Sequence, residues 1–190
     1  MPDPPVRFAA YAGSLRKGSY NWMLLRALMK AAPPNVTFDV LDIADIPLYN
    51  MDLESQVPEP VSRLREIIRN ADGLIIATPE HNGTIPAVTK TVIEWASRPP
   101  DESAIEKKPV AIVGASTGYY GTIRAQSALR EIAVVEEVYF MIEPQIRVGR
   151  AQTKFDENGA LHDADLEAEL AEFMQAFVRW TLRINANPPV

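Results

Sequence analysis

The chain has 190 residues, 47% of them hydrophobic, and a formal net charge of −6 at neutral pH. That length and apolar content suit one packed core and argue against disorder, while the acidic balance disfavours broad attraction to nucleic acid. There is no cysteine, and the only two histidines, His81 and His162, stand far apart, so disulfides, thiolate catalysis, iron–sulfur clusters and a metal centre are not expected.

No run of roughly 18 apolar residues suggests a membrane span. Met1 to Arg7 holds no apolar stretch of signal-peptide type, so the expected location is the cytoplasm. Prolines near both ends (Pro2, Pro4, Pro5; Pro188, Pro189) predict frayed tails over 1–5 and 186–190, around a single domain.

A strand is predicted over Val6–Ala12, ending at Gly13. Tyr20–Ala32 has helical spacing, with Trp22, Leu25, Leu28 and Met29 on one face and Pro33-Pro34 as the stop. Val36–Leu41 alternates as a half-buried strand should. Asp42–Glu59, with several prolines and charges, predicts a long surface loop. Pro60–Ala71 predicts a helix with Val61, Leu64 and Ile67/Ile68 inward, and Gly73–Thr78 a buried strand. Pro86–Ser97 predicts a helix with proline in its first turn, Pro109–Ala115 a buried strand and Thr122–Ala133 a helix. A fifth strand is predicted over Val134–Met141, and a long amphipathic helix over Leu166–Ile184.

Strands and helices alternate, which predicts an α/β three-layer sandwich: a five-stranded parallel sheet with helices on both faces. Right-handed crossovers favour the flavodoxin-like order 2-1-3-4-5. In such sheets a ligand sits beyond the carboxyl ends of the strands. The loops Gly13–Ser19, Pro79–Ile85 and Ser116–Gly121 all fall at that edge, and all are rich in Gly, Ser, Thr or Asn.

The first loop and helix start, Gly13 to Asn21, form a candidate anion cradle. A helix N-terminus offers unpaired N–H groups and about half a positive charge. Ser14, Ser19 and Asn21 add neutral hydrogen bonds, Arg16 a charge-assisted one, and Tyr20 opens the helix in the same cradle. Gly13 and Gly18 have the spacing of the ATPase phosphate loop, but Ser19 and Tyr20 stand where that loop needs Lys and Ser/Thr. The plain alternative is an ordinary strand–helix turn with an N-cap serine.

The second loop, Pro79-Glu80-His81-Asn82-Gly83, is stiffened by prolines at both ends and suits the edge of a planar heterocycle. His81 could stack on such a ring or simply face solvent. Asn82 could bond the ring, or with Gly83 only make the turn. In the third loop, Ser116 and Gly118 face the same edge, and Tyr119 or Tyr120 could cover a ring or serve packing or an interface.

Three segments together resemble the NADPH-dependent FMN reductase family, which includes bacterial chromate, quinone and azo-dye reductases. They are GSLRKGSYN (Gly13–Asn21), PEHNGTIPAVTKTVIEWASR (Pro79–Arg98) and STGYYGTIRAQSALR (Ser116–Arg130). The resemblance implies a flavodoxin-like fold, bound FMN, NADPH or NADH as co-substrate, and a small-molecule electron acceptor of quinone, azo or metal-oxyanion type. It implies that Ser14, Arg16, Ser19 and Asn21 hold the phosphate. Pro79, Glu80, His81, Asn82 and Gly83 would line the flavin ring, with Ser116 and Gly118 closing the other side. It also implies a homodimer or homotetramer, with Ala87–Ser97 and Thr122–Glu131 as candidate interface segments. The chain departs from the family's usual Tyr at His81, its usual Leu-Lys-Asn at Thr89-Lys90-Thr91, and a frequent Asp at Glu94. Lys90 and Glu94 also fit a plain i, i+4 pair on a solvated helix face. A flavin does its own redox chemistry, so no catalytic side chain is assigned. A flavodoxin-like electron carrier and a non-enzymatic flavin-binding redox sensor are the alternative readings.

Overall fold

The computed structural model describes residues 4–189, apart from the side chains of residues 133–135. Its elements are β1 (Val6–Ala12), α1 (Tyr20–Lys30), β2 (Val36–Val40), α2 (Glu59–Asn70), β3 (Gly73–Ala77), α3 (Ala87–Ser97) and β4 (Pro109–Ala115). There follow α4 (Ile123–Val135), β5 (Tyr139–Phe140), β6 (Ile146–Val148) and α5 (Ala164–Ala186).

The strands lie parallel in the order β2-β1-β3-β4-β5, with β6 also on β4. This is the flavodoxin-like order expected from the alternation of strand and helix. β1 shows why the sheet needs helices on both faces. Val6, Phe8, Ala10 and Ala12 point into one core with Leu24, Leu25 and Leu28 of α1 and Leu170, Phe173 and Phe177 of α5. Ala9 and Tyr11 point into the other, with Val61, Leu64 and Ile68 of α2, Trp95 of α3 and Leu129 of α4. β3 and β4 are buried along their whole length, which accounts for their unbroken apolar sequence. Each fully buried large apolar side chain contributes about 1.5–3 kcal/mol of transfer free energy.

Two expectations are corrected. The fifth strand does not run over Val134–Met141. Val134 and Val135 continue α4, and only Tyr139–Phe140 pairs with the start of β4. The chain then leaves the ladder through Pro144, which has no N–H to give it, and re-enters as β6 beside Val113–Ala115. The fifth position is therefore shared by two short strands.

Nor is Asp42–Glu59 wholly a surface loop. Ile43 and Ile46 are buried, and Met51–Gln56 makes a short 3-10 turn. Trp95 Nε1 donates to the Pro47 carbonyl at 2.8 Å. The Tyr49 ring meets Trp95 edge-on, with centroids 5.1 Å apart. At the ends of the chain, the Pro4 carbonyl accepts from Asn35 Nδ2 at 2.7 Å and the Pro189 carbonyl from Tyr139 Oη at 3.1 Å. Residues 1–3 and 190 of the expected tails lie outside the described residues.

Gly13 sets how close α3 comes to the end of β1. A Cβ there would lie 2.1 Å from Thr89 Oγ1, so only glycine permits the approach. Thr89 Oγ1 is itself buried without a hydrogen-bond partner. Gly13→Ala therefore costs about 1–3 kcal/mol by overpacking. Adding Thr89→Ala, which removes the clashing oxygen, recovers most of that cost in urea unfolding. Simple additivity of the two substitutions would refute the contact.

Asp163 caps α5, accepting from the Leu166 N–H at 2.9 Å, and also accepts from the Lys154 ammonium. The Lys154 hydrogen bond first, and the Leu166 N–H second, hold its carboxyl below the ordinary carboxylate range. A depressed folded-state pKa stabilises the fold above the unfolded value, and that stabilisation fades as pH falls through the depressed one. Asp163→Asn keeps a capping oxygen but loses the charge. Its melting temperature should sit below that of the unchanged chain at neutral pH, with the gap closing in acid. A gap independent of pH would count against this ion pair.

Candidate functional site

A cleft of about 570 Å³ opens at the carboxyl ends of β1, β3 and β4. That volume lies within the usual range for small-molecule sites, roughly 300–1,000 Å³. From the first loop and α1 it is lined by Ser14, Arg16, Ser19, Tyr20 and Asn21; from the second loop by Pro79, Glu80 and His81; from the third by Ser116. Gly13, Leu15, Pro86, Ala87, Val88, Ala115 and Thr117 complete the lining. Thr117 and Leu15 sit inside loops already singled out, and Val88 belongs to the first turn of α3. The sequence offered no signal that Val88 faces this edge.

The first loop is organised around the start of α1. The Ser19 hydroxyl accepts from the Asn21 N–H at 3.2 Å as the N-cap, and the first turn carries no acidic residue. Trp22 Nε1 donates to the Ser14 carbonyl at 3.0 Å, which holds the loop down on the helix. Arg16 Nη2 donates to the Gly18 carbonyl at 2.6 Å, and the guanidinium carbon lies 5.7 Å from the Tyr20 ring centroid. A cation and a helix N-terminus thus share one side of the cleft, which suits an anion.

Several of the expected ligand contacts are committed to the framework. Asn21 Nδ2 donates to the Ala115 carbonyl and Asn21 Oδ1 accepts from the Ala115 N–H, both at 2.9 Å. Glu80 Oε2 accepts from the N–H groups of Arg124 at 2.9 Å and Ala125 at 3.2 Å, so its carboxylate caps α4. Ser116 Oγ donates to the Gly121 carbonyl at 2.8 Å.

Asn82, Gly83 and Gly118 do not line the cleft. Asn82 and Gly83 have φ of 51° and 77° and form the tip of a two-residue turn. The turn is closed by His81 N–H to Thr84 O at 2.9 Å and Thr84 N–H to His81 O at 3.0 Å. Asn-Gly is the sequence that tolerates such left-handed pairs. The Gly118 carbonyl accepts from the Arg150 N–H at 2.8 Å. His81 is exposed on its wall.

The residues present fit a mononucleotide with a flat ring. The donors of Ser14, Arg16 and α1 suit a phosphate. Leu15, Pro79, Pro86 and Val88 offer apolar surface, and Ala115 and Thr117 stand at the third loop. A small void of about 20 Å³ lies between the sheet, α3 and α4 and is lined by apolar side chains and Tyr11. Burial there pushes the Tyr11 phenol pKa up, and its hydroxyl has no partner. Among the described residues, no group of three or more His, Cys, Asp or Glu converges as a metal site, and no helix is long and apolar enough to cross a membrane.

Comparison with known proteins agrees with this geometry. Residues 6–153 match the model of the NADPH-dependent FMN reductase family. A 2-hydroxy-1,4-benzoquinone reductase of a Burkholderia species is 38% identical over 92% of this chain and 96% of its own length. An NAD(P)H-dependent FMN reductase of Pseudomonas aeruginosa is 41% identical over 94% of this chain and 97% of its own. The solved structure of the Paracoccus denitrificans flavoenzyme FerB, an NAD(P)H:(acceptor) oxidoreductase, superposes with a TM-score of 0.87 at 33% identity. It covers 94% of this chain and 98% of that one. The chain therefore belongs to the NADPH-dependent FMN reductase family, oxidoreductases that work with FMN and NAD(P)H.

Proposed function

We propose that this chain, as one FMN-binding domain, passes a hydride from NAD(P)H through bound FMN to a quinone, with azo and metal-oxyanion acceptors as further substrates. The observation that carries the reading is the pairing of Arg16 with the α1 N-terminus on one side of the cleft and the Pro79–His81 wall on another. FMN, when bound, supplies the two-electron redox chemistry. Ser14, Arg16, Ser19 and the first turn of α1 hold its phosphate, with Tyr20 beneath the guanidinium. Asn21 serves by fixing α1 to β4. Pro79 and His81 border the ring, and Glu80, Asn82 and Gly83 hold that wall in place. Ser116 and Gly118 shape the third side. Relatives named as quinone reductases support the choice of acceptor.

In this reading the protein works in the cytoplasm as a homodimer or homotetramer, assembled through 87–97 and 122–131. Exposed Tyr119, Tyr120 and Ile123 beside the start of α4 support that placement.

FMN-loaded protein should oxidise NADPH in the presence of benzoquinone far faster than free FMN does. Turnover no faster than free FMN would overturn the enzyme reading in favour of a carrier or sensor. Arg16→Ala removes a charge-assisted hydrogen bond worth about 1.5–3 kcal/mol, so FMN affinity by fluorescence quenching should weaken roughly ten- to a hundredfold. Unchanged affinity would remove Arg16 from the phosphate site.

A further inference from the structure

Reducing a quinone to a hydroquinone takes two electrons and two protons. A hydride brings both electrons but only one proton, so the second proton needs a donor. We infer, on the reading of the chain as a quinone reductase, that His81 is that donor.

The ionisable side chains lining the cleft, among the described residues, are Arg16, Tyr20, Glu80 and His81. A guanidinium does not release its proton in proteins, and a phenol is a far weaker acid than an imidazolium. The Tyr20 ring is also packed at 6.2 Å from Phe155 and lies under Arg16. Glu80 Oε2 is already committed to the start of α4, where it accepts from two N–H groups. His81 remains. Imidazole is the side chain type that exchanges a proton between about pH 5 and 8. Here it is exposed, so solvent can reload it. Its side chain makes no hydrogen bond to another described residue, while its backbone is fixed on both sides by Thr84. The charged groups around it are Glu80, its chain neighbour; Arg124 of α4, whose Cδ lies 3.6 Å from a Cβ built on Gly83; and Arg16 on the first loop.

The step balances. NAD(P)H breaks one C–H bond and leaves as NAD(P)⁺, and the quinone gains that hydride and becomes a hydroquinone monoanion. An N–H bond of the His81 imidazolium then breaks, an O–H bond forms on the phenolate oxygen, and water reprotonates the imidazole. The reductant and the acceptor classes are those of the proposed reaction, and no other reactant is needed.

The test compares the unchanged protein with His81→Phe, which keeps a flat ring and has no proton to give, both saturated with FMN. Two acceptors are used: benzoquinone, which takes up protons, and ferricyanide, which does not. The benzoquinone-to-ferricyanide rate ratio should fall at least tenfold in His81→Phe, since a positioned acid contributes about 10²–10⁴. Independent of turnover, p-nitrophenolate should move the His81 imidazole proton resonances of the unchanged protein and bind roughly tenfold more weakly to His81→Phe. An unchanged ratio, with both acceptors reduced, overturns the role of His81 alone. Reduction of neither acceptor by the unchanged protein overturns the quinone-reductase reading and this inference with it.

Discussion

The amide of Asn21 holds the molecule's working edge together. Its two polar atoms pair with the N–H and the carbonyl of Ala115, 94 positions further along the chain. Both partners are buried. Leaving a buried donor or acceptor unpaired costs about 1–3 kcal/mol, so this pair of bonds locks the first turn of α1 to the last residue of β4. The first and third loops are thereby set at a fixed separation, and the cleft lies between them.

Other polar groups serve the same end. Glu80 fastens the second loop to α4, Ser116 ties the third loop onto itself, and the Asn82-Gly83 turn folds the second loop back at His81. Among the residues along this edge, those committed to the framework are mostly buried or half-buried. Arg16 and His81, which line the cleft, are exposed. Such a division is what a binding site on a parallel sheet requires. The scaffold satisfies its own hydrogen bonds, and the remaining donors are held ready for a ligand that supplies the missing partners.

The far edge of the sheet shows the same logic in the backbone. β5 covers the beginning of β4 and β6 covers its end, so the carboxyl end of β4 is still paired where the third loop departs. The Ser116 N–H reaches the Val148 carbonyl, and the Ala151 N–H reaches the Ser116 carbonyl. Without β6 the end of β4 would lose its pairing on that outer side. On the opposite side, the 42–56 segment closes the second core through Ile43, Ile46 and the Tyr49–Trp95 contact.

The architecture was legible in the sequence because it rests on local pattern. Helical and strand periods repeat within a dozen residues, and their alternation leaves few topologies. The three loops at one edge follow from that topology alone, and half of their residues line the cleft. The split fifth strand has no local signature, because Val134-Val135 have strand propensity yet continue a helix, where tertiary context outweighs propensity. The buried part of 42–59 has none either, because its apolar residues, Ile43 and Ile46, follow no period. Which side chains are committed and which are free was decided only by the tertiary structure. Asn21, Glu80 and Arg16 look alike in sequence, as polar residues in polar loops. Their partners lie in distant segments or in the local fold of the turn, and a hydrogen bond between Asn21 and Ala115 leaves no periodic trace in either.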